Sequence, residues 1–303
     1  MKSTKMARVV GGALLAAGTA ITMLAPASLA DTTSAQRSVA ELAASQVKLD
    51  RGAESRPESV TGWYVDQATN KLVVEVHGTD KGVAKWADRL GAGDVAIEHV
   101  AEAPQAMWNI IGGQAITTSG SRCSAGFNAR NSSGTRFVIT AGHCTNIGAN
   151  WNGTGGTLGS RQASSFPTND YGTIRVTSSS AVSTPLVDRY SAGSDVTVTG
   201  AATATVGMAV CRSGSTTGWR CGSVTGVNQT VCYSQGCVYQ MIRTNVCAEP
   251  GDSGGSLVTN TGTRVQALGL TSGGSGNCSS GGTTYYQTVT EVLSTQGLTL
   301  YTG

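Results

Sequence analysis

The chain has 303 residues, enough for one large or two medium domains. Charged residues supply only 13% of it, while Gly occupies 41 positions, roughly twice the average share of about 7%. So much Gly, with abundant Ser and Thr and three Phe, argues against a helix-rich enzyme and for short strands joined by tight turns. The formal net charge of +3 is unevenly spread: residues 31–109 hold 12 acidic and 8 basic residues, and residues 110–303 hold 6 acidic residues and 10 Arg with no Lys. A step of this kind suggests two units of opposite field, although two ordinary solvated surfaces give the same count. The Arg residues stand singly, so no nucleic-acid patch is visible.

In chain order, the N-terminus reads as an export signal over residues 1–30. Lys2, Lys5 and Arg8 precede an apolar stretch from Val9 to Leu24, and Ser28-Leu29-Ala30 offers small residues at a cleavage site, with Ala27 as a second choice. The stretch falls short of the roughly 20 apolar residues of a membrane span. No later segment approaches that length, so a soluble, secreted and extracellular protein without a membrane partner is expected.

Residues 31–109 form a Cys-free unit of α+β pattern. Ser38 to Gln46 has helical spacing, with Val39, Leu42 and Ala43 on one side. Val60 to Val65 and Leu72 to Val76 alternate about a turn and predict a β-hairpin. Lys81 to Leu90 predicts an amphipathic helix facing inward through Val83, Trp86 and Leu90, and Val95 to Val100 a last strand. His77 and His99 are read as solvent-facing and structural.

From Arg122 to Tyr301 the pattern is strand, turn, strand. The clearest strands are Arg136 to Thr140, Tyr171 to Val176, Asp195 to Thr199, Gly222 to Val227 and Val265 to Leu270, which predicts an all-β sandwich or pair of barrels. One helical turn is expected near Val289 to Thr295. All eight Cys lie here: Cys123, Cys144, Cys211, Cys221, Cys232, Cys237, Cys247 and Cys278. An even number in one segment reads as disulfides formed outside the cytosol. Zinc is disfavoured, because the spacings do not repeat as paired C-x-x-C and the segment holds a single His. No metal or cofactor is expected.

The chemistry is concentrated around Glu249-Pro250-Gly251-Asp252-Ser253-Gly254-Gly255. A serine hydroxyl needs a base to become a nucleophile, and the charge that then develops on the attacked carbonyl needs donors. Gly251 lets the chain turn so that its N–H and that of Ser253 can converge. The base follows by elimination, because His143 in Thr140-Ala141-Gly142-His143-Cys144 is the single histidine after residue 109. A third member should be a buried carboxylate that orients the imidazole. Asp170, Asp188, Asp195, Asp252, Glu249 and Glu291 are available. Asp252 adjoins the nucleophile and should point away. Asp170 directly precedes an alternating strand, where a carboxylate can be fixed at a barrel end, and is the preferred candidate. A G-x-S-x-G esterase is the rival class, but no helix pattern follows Ser253. A binding module that kept the fold without activity would show a broken triad or a blocked turn, and the sequence shows neither.

On these residues the sequence resembles the chymotrypsin-type serine proteases, and more closely the bacterial streptogrisins. The resemblance rests on Thr140 to Cys144, on Phe166-Pro167-Thr168-Asn169-Asp170-Tyr171-Gly172, on Arg243 to Ser256, and on Gly269-Leu270-Thr271-Ser272-Gly273-Gly274-Ser275-Gly276-Asn277-Cys278. It runs from about Ile110 to the C-terminus and weakens before it. It implies two antiparallel β-barrels of chymotrypsin type, about 110–195 and 196–303, with His143 and Asp170 from the first and Ser253 from the second. It further implies an oxyanion hole from the amides of Gly251 and Ser253, a Ser272 bond to Asp170, and substrate pairing along Ser272, Gly273 and Gly274. An internal Arg212–Asp252 pair is implied too. Members of the family support the pairs Cys123–Cys144 and Cys247–Cys278, and some support Cys211–Cys221. Cys232–Cys237 remains by elimination, without support from the streptogrisin pattern.

Residues 31–109 are accordingly expected to be a propeptide, a folding assistant and inhibitor of the mature domain 110–303, removed by autocatalytic cleavage. Aligning Ile110-Ile111-Gly112-Gly113 with the usual mature start places the cut after Asn109. Trp108 suits an apolar pocket better, so self-processing there followed by trimming is the alternative. Six residues before Ser253 stands Cys247 rather than the carboxylate a trypsin-like pocket needs. A pocket selective for Glu would need cationic or histidine groups, and the one mature His is committed. Cleavage of protein and peptide substrates after large apolar residues is expected, by a monomer.

Overall fold

The computed structural model describes residues 37–303, so the export reading of residues 1–30 lies outside the described residues. The chain divides into two units, Met1–Pro104 and Gln105–Gly303.

In the first unit the helix Val39–Arg51 starts on a capping box, in which the Ser38 hydroxyl and the Glu41 carboxylate each bond the other's backbone N–H. It runs five residues beyond the expected end at Gln46, and it buries Leu42, Ser45 and Leu49 rather than Val39, which is exposed. The spacing of three and four from Leu42 to Ser45 and Leu49 is the true inward stripe; a small Ser completes it where apolarity alone points to Ala43. The strands Val60–Asp66 and Lys71–Val76 pair antiparallel, with Leu72, Val74 and Val76 facing the core. The chain crosses over through the helix Val83–Arg89 to the strand Ala96–His99, which lies parallel to Lys71–Val76. Trp86 and Val83 fill the space beneath, against Leu42, Leu49 and Leu72. His77 and His99 are exposed.

The second unit holds an eight-stranded and a nine-stranded sheet, the two barrels of a chymotrypsin-like fold. The first takes the strands from Ala115–Thr118 to Tyr171–Val176, and the second those from Val196–Ala201 to Gly281–Thr288. Sheet membership departs from a single cut near residue 195 at three places. Trp108–Gly112 and Ala181–Val187 join the second sheet, and the C-terminal strand Thr299–Leu300 returns to the first. Two junctions are parallel rather than antiparallel: Trp108–Gly112 beside Ala181–Val187, and Val196–Ala201 beside Arg264–Asn277. The ends of the unit thus tie the barrels together. A shared core of Phe127, Phe137, Ile139, Val258, Leu270 and Val292 spans their interface, so neither barrel closes its apolar surface alone.

Four disulfides are formed: Cys123–Cys144, Cys211–Cys221, Cys232–Cys237 and Cys247–Cys278. Among the described residues no helix is long and apolar enough to cross a membrane.

Candidate active site

The buried strand Arg136–Thr140 carries Phe137, Val138 and Ile139 and ends in the small residues Ala141 and Gly142. Smallness is required here: a Cβ on Gly142 would lie 2.2 Å from the carbonyl oxygen of Ser165. The chain then makes one helical turn, Gly142–Thr145, which presents His143 at the surface while its neighbour Cys144 is bonded to Cys123. Asp170 sits at the start of Tyr171–Val176 with no exposed surface, and the His143 side chain is 28% exposed. The carboxylate holds the imidazole at two points. His143 Nδ1 lies 2.8 Å from Asp170 Oδ2, and the His143 backbone N–H donates to Oδ1 at 2.9 Å. With Nδ1–H given to the carboxylate, Nε2 keeps its lone pair and is the basic nitrogen.

Two further groups fix Asp170. The Ser272 hydroxyl donates to Oδ2 at 2.5 Å. Ser272 can reach because it is the extra residue of a β-bulge: Thr271 and Gly273 pair with the adjacent residues Tyr286 and Tyr285. The Asp170 backbone N–H donates to Gln287 Oε1 at 2.7 Å, and Gln287 Nε2 donates to Glu291 Oε2 at 2.7 Å. Gln287 has no exposed surface. Neither it nor the part of Glu291 is visible from the sequence, because the contact spans 117 residues and no motif marks it.

The Ser253 loop packs against this group. The Ser253 carbonyl accepts the Ser124 N–H at 2.8 Å and lies 3.8 Å from Cys144 Sγ, beside His143. Around it the amides of Asp252, Gly254 and Gly255 donate to Glu249, Thr271 and Asp252 carbonyls respectively. Those of Gly251 and Ser253 have no acceptor among the described residues. Gly251 has φ 97°, the left-handed backbone that lets the turn form. The Ser253 hydroxyl is not joined to the His143–Asp170 line by a hydrogen bond.

Asp252 turns away from the imidazole into the protein. Arg212 Nη2 lies 3.2 Å from its Oδ2, and both side chains are fully buried. Asp252 also accepts from the Thr216, Thr217 and Glu249 amides and the Thr217 hydroxyl. Burial pulls the Arg212 guanidinium below its ordinary pKa, and the Asp252 charge pushes it back up. Of the other candidate acids, Asp188 accepts from Gln114 and Tyr190, and Glu249 accepts from the Cys278 amide. Among the described residues no group of His, Cys, Asp and Glu could hold a metal ion.

Next to His143 a cavity of about 210 Å³ is lined by Phe166, Tyr233, Gln235 and Ser272. Phe166 stands edge-on to the imidazole at 5.7 Å, and Tyr233 lies 6.0 Å from Phe166. Beyond Leu270 the strand Arg264–Asn277 pairs on one side with Gly281–Thr288, and its partner on the other side, Ser256–Thr259, stops at Leu270. Gly273 and Gly274 therefore lie on a free edge.

Two β-barrels with a buried carboxylate, an imidazole and a serine turn at their junction define a serine protease of the chymotrypsin type. The family described as Trypsin matches residues 110–295, and that described as Alpha-lytic protease prodomain matches residues 37–93. The chain belongs to this family, and within it is streptogrisin-like: it is 52% identical to Streptogrisin-A of Streptomyces griseus over 79% of this chain and 78% of that protein. A crystal structure of Nocardiopsis protease is 51% identical with a TM-score of 0.60, covering 64% of this chain and 100% of that one. A glutamic acid specific serine protease, said to use a histidine triad in substrate binding, is 48% identical with a TM-score of 0.59, covering 63% of this chain and all of its own. The protein is a serine endopeptidase made with a pro-domain, a zymogen.

Proposed function

We propose that Ser253, His143 and Asp170 carry the reaction, and that it falls after large apolar residues of extracellular proteins and peptides. The observation that carries the reading is the hydrogen-bonded line from buried Ser272 and Asp170 to His143 at the surface, set beside a serine turn whose Gly251 and Ser253 amides are unspent. Ser253 Oγ attacks the scissile carbonyl carbon while His143 Nε2 takes its proton. The two free amides stabilise the oxyanion. The tetrahedral species collapses as the C–N bond breaks, and His143 returns the proton to the leaving amine. Water, deprotonated by the same nitrogen, then cleaves the acyl-ester and regenerates Ser253. Ser272 to Gly274 offer a free strand edge to the substrate backbone.

The apolar preference is supported by the absence of an acidic residue at position 247 and from Leu270 to Cys278. Cys247, six residues before Ser253, is bonded to Cys278, and Glu249 is turned to the Cys278 amide. The glutamic acid specific relative is said to use three histidines, whereas residues 110–303 hold His143 alone. Discrimination among apolar side chains is worth about 1–3 kcal/mol per group, so selectivity is broad. The four disulfides favour secretion, with residues 1–30 as signal peptide and cleavage after Asn109 or Trp108. A serine-directed phosphonate should label the mature enzyme and abolish peptide cleavage, and Ser253→Ala should lose both labelling and turnover. Peptide profiling that gave Glu or Arg at the cleaved bond would overturn the specificity.

A further inference from the structure

The hairpin formed by the end of strand Gly218–Tyr233 and the start of strand Gly236–Thr244 reaches the site from the second barrel. Its last paired residues are Cys232 with Cys237, bonded to each other, and Tyr233 with Gly236. The hairpin grips the catalytic aspartate from two directions.

One grip is on the backbone. The Thr168 amide donates to the Cys237 carbonyl at 2.9 Å, and the Tyr239 amide donates to the Thr168 carbonyl at 3.1 Å. Thr168 and Val238 thereby form an isolated parallel bridge, two residues before Asp170 in a loop of the first barrel. Gly236 is pressed onto the same loop, since a Cβ there would lie 2.7 Å from Pro167 Cγ.

The other grip runs through side chains. Tyr233 Oη lies 2.9 Å from Ser272 Oγ, which is bonded to Asp170 Oδ2. Serine has one hydroxyl proton, and it is committed to the carboxylate; Tyr233 must therefore be the donor to Ser272. Burial raises the pKa of Tyr233 above that of a free phenol, which keeps this proton in place. A donor behind Ser272 polarises its O–H toward Asp170. The Tyr233 ring lies over Gly273 in space that a side chain there would need, since a Cβ at 273 would stand 2.8 to 3.1 Å from its Oη and ring carbons.

We propose that this disulfide-clipped hairpin is a positioning device for the catalytic carboxylate, with Tyr233 acting on Asp170 through Ser272 and the Cys232–Cys237 bond holding Tyr233 in register. It rests on Asp170 being the triad acid. Tyr233 makes no claim on the reacting atoms; it fixes the group that fixes His143.

The test uses the full-length precursor, expressed and allowed to mature, with kcat and KM measured on a tetrapeptide amide. Tyr233→Phe keeps the ring against Gly273 and Phe166 and removes the proton. The expected result is a fall in kcat of about 3- to 10-fold, the worth of one neutral hydrogen bond, with KM within twofold. Replacing both Cys232 and Cys237 by Ser should lower kcat in the same way. Adding Tyr233→Phe to that pair should then cost less than it does alone, because both act through one bond. A change confined to KM would assign Tyr233 to the wall of the cavity and overturn the proposal, as would fully additive effects. Failure of the triad reading is separable: it would show as an Asp170→Ala enzyme with near-normal kcat, whatever Tyr233→Phe does.

Discussion

At Asp170 a single side chain accepts three hydrogen bonds, and two of them go to one residue, His143. The carboxylate is therefore less a charge source than a gauge for the ring: it fixes both tautomer and orientation. Asp170→Asn would keep the shape but present an amide N–H to Nδ1, forcing the ring proton onto Nε2 and removing the base. A fall in kcat of about 10,000-fold is expected, with KM little changed. Steady-state kinetics with active-site titration would check it, and a drop of less than tenfold would contradict the assignment. Asp252 shows the opposite use of a carboxylate. It is buried with Arg212 and four further donors, which tie the turn before Ser253 to the segment 212–217. Arg212→Met would leave that charge buried without its cation, a loss of about 3–5 kcal/mol. A melting temperature equal to the parent's would show that the pair contributes nothing.

At the scale of elements, the site depends on irregularities in the strands rather than on the strands themselves. The bulge at Ser272 releases its side chain, and Gln287 near the end of Gly281–Thr288 bridges Asp170 to Glu291 in the first turn of the helix Val289–Gln296. Gln287→Leu would fill the same space while stranding the buried Asp170 amide, whereas Glu291, half-buried, would keep the Thr288 hydroxyl as donor. Each buried group left unpaired costs about 1–3 kcal/mol. The expected outcome is a lower melting temperature together with a several-fold loss of kcat; unchanged stability would mean that water replaces the amide. These irregularities also explain what the sequence conceals. Arg136–Thr140 and Tyr171–Val176 are regular and buried, so alternation and apolarity mark them to the residue. Gly218–Tyr233 and Arg264–Asn277 run far beyond the segments that alternation picks out, because bulges after Val224, Gly226, Gln229 and Thr271 shift the inward register. His143 and Ser253 can be proposed from the sequence because the features that point to them are local, a lone imidazole and a glycine turn. Gln287 and Tyr233 cannot, because their chemistry exists once distant strands meet.

At the scale of the whole molecule, residues 110–303 face a folding problem that their own local structure does little to ease. The two barrels share one core across their interface, the N-terminal strand pairs with Ala181–Val187, and the C-terminal strand closes on the other sheet. Such pairings join residues far apart in sequence, so loop closure must be met before contacts repay it. The pro-domain is smaller: a capped helix, a hairpin and one crossover enclose a single core around Trp86. It also carries the opposite net charge, 12 acidic against 8 basic residues, beside 6 acidic residues and 10 Arg in the protease. If the small unit folds first, its opposite charge would draw the larger one onto it as a template. Refolding residues 110–303 from denaturant should therefore give little activity alone and a many-fold higher yield when residues 31–109 are added in trans. The gain should shrink at high salt if the opposite charges drive the encounter. Trp86→Ala, which empties the pro-domain core at a cost of about 3–5 kcal/mol, should abolish the assistance without altering the protease. Equal yields with and without the pro-segment would remove its folding role and leave it as an inhibitor alone.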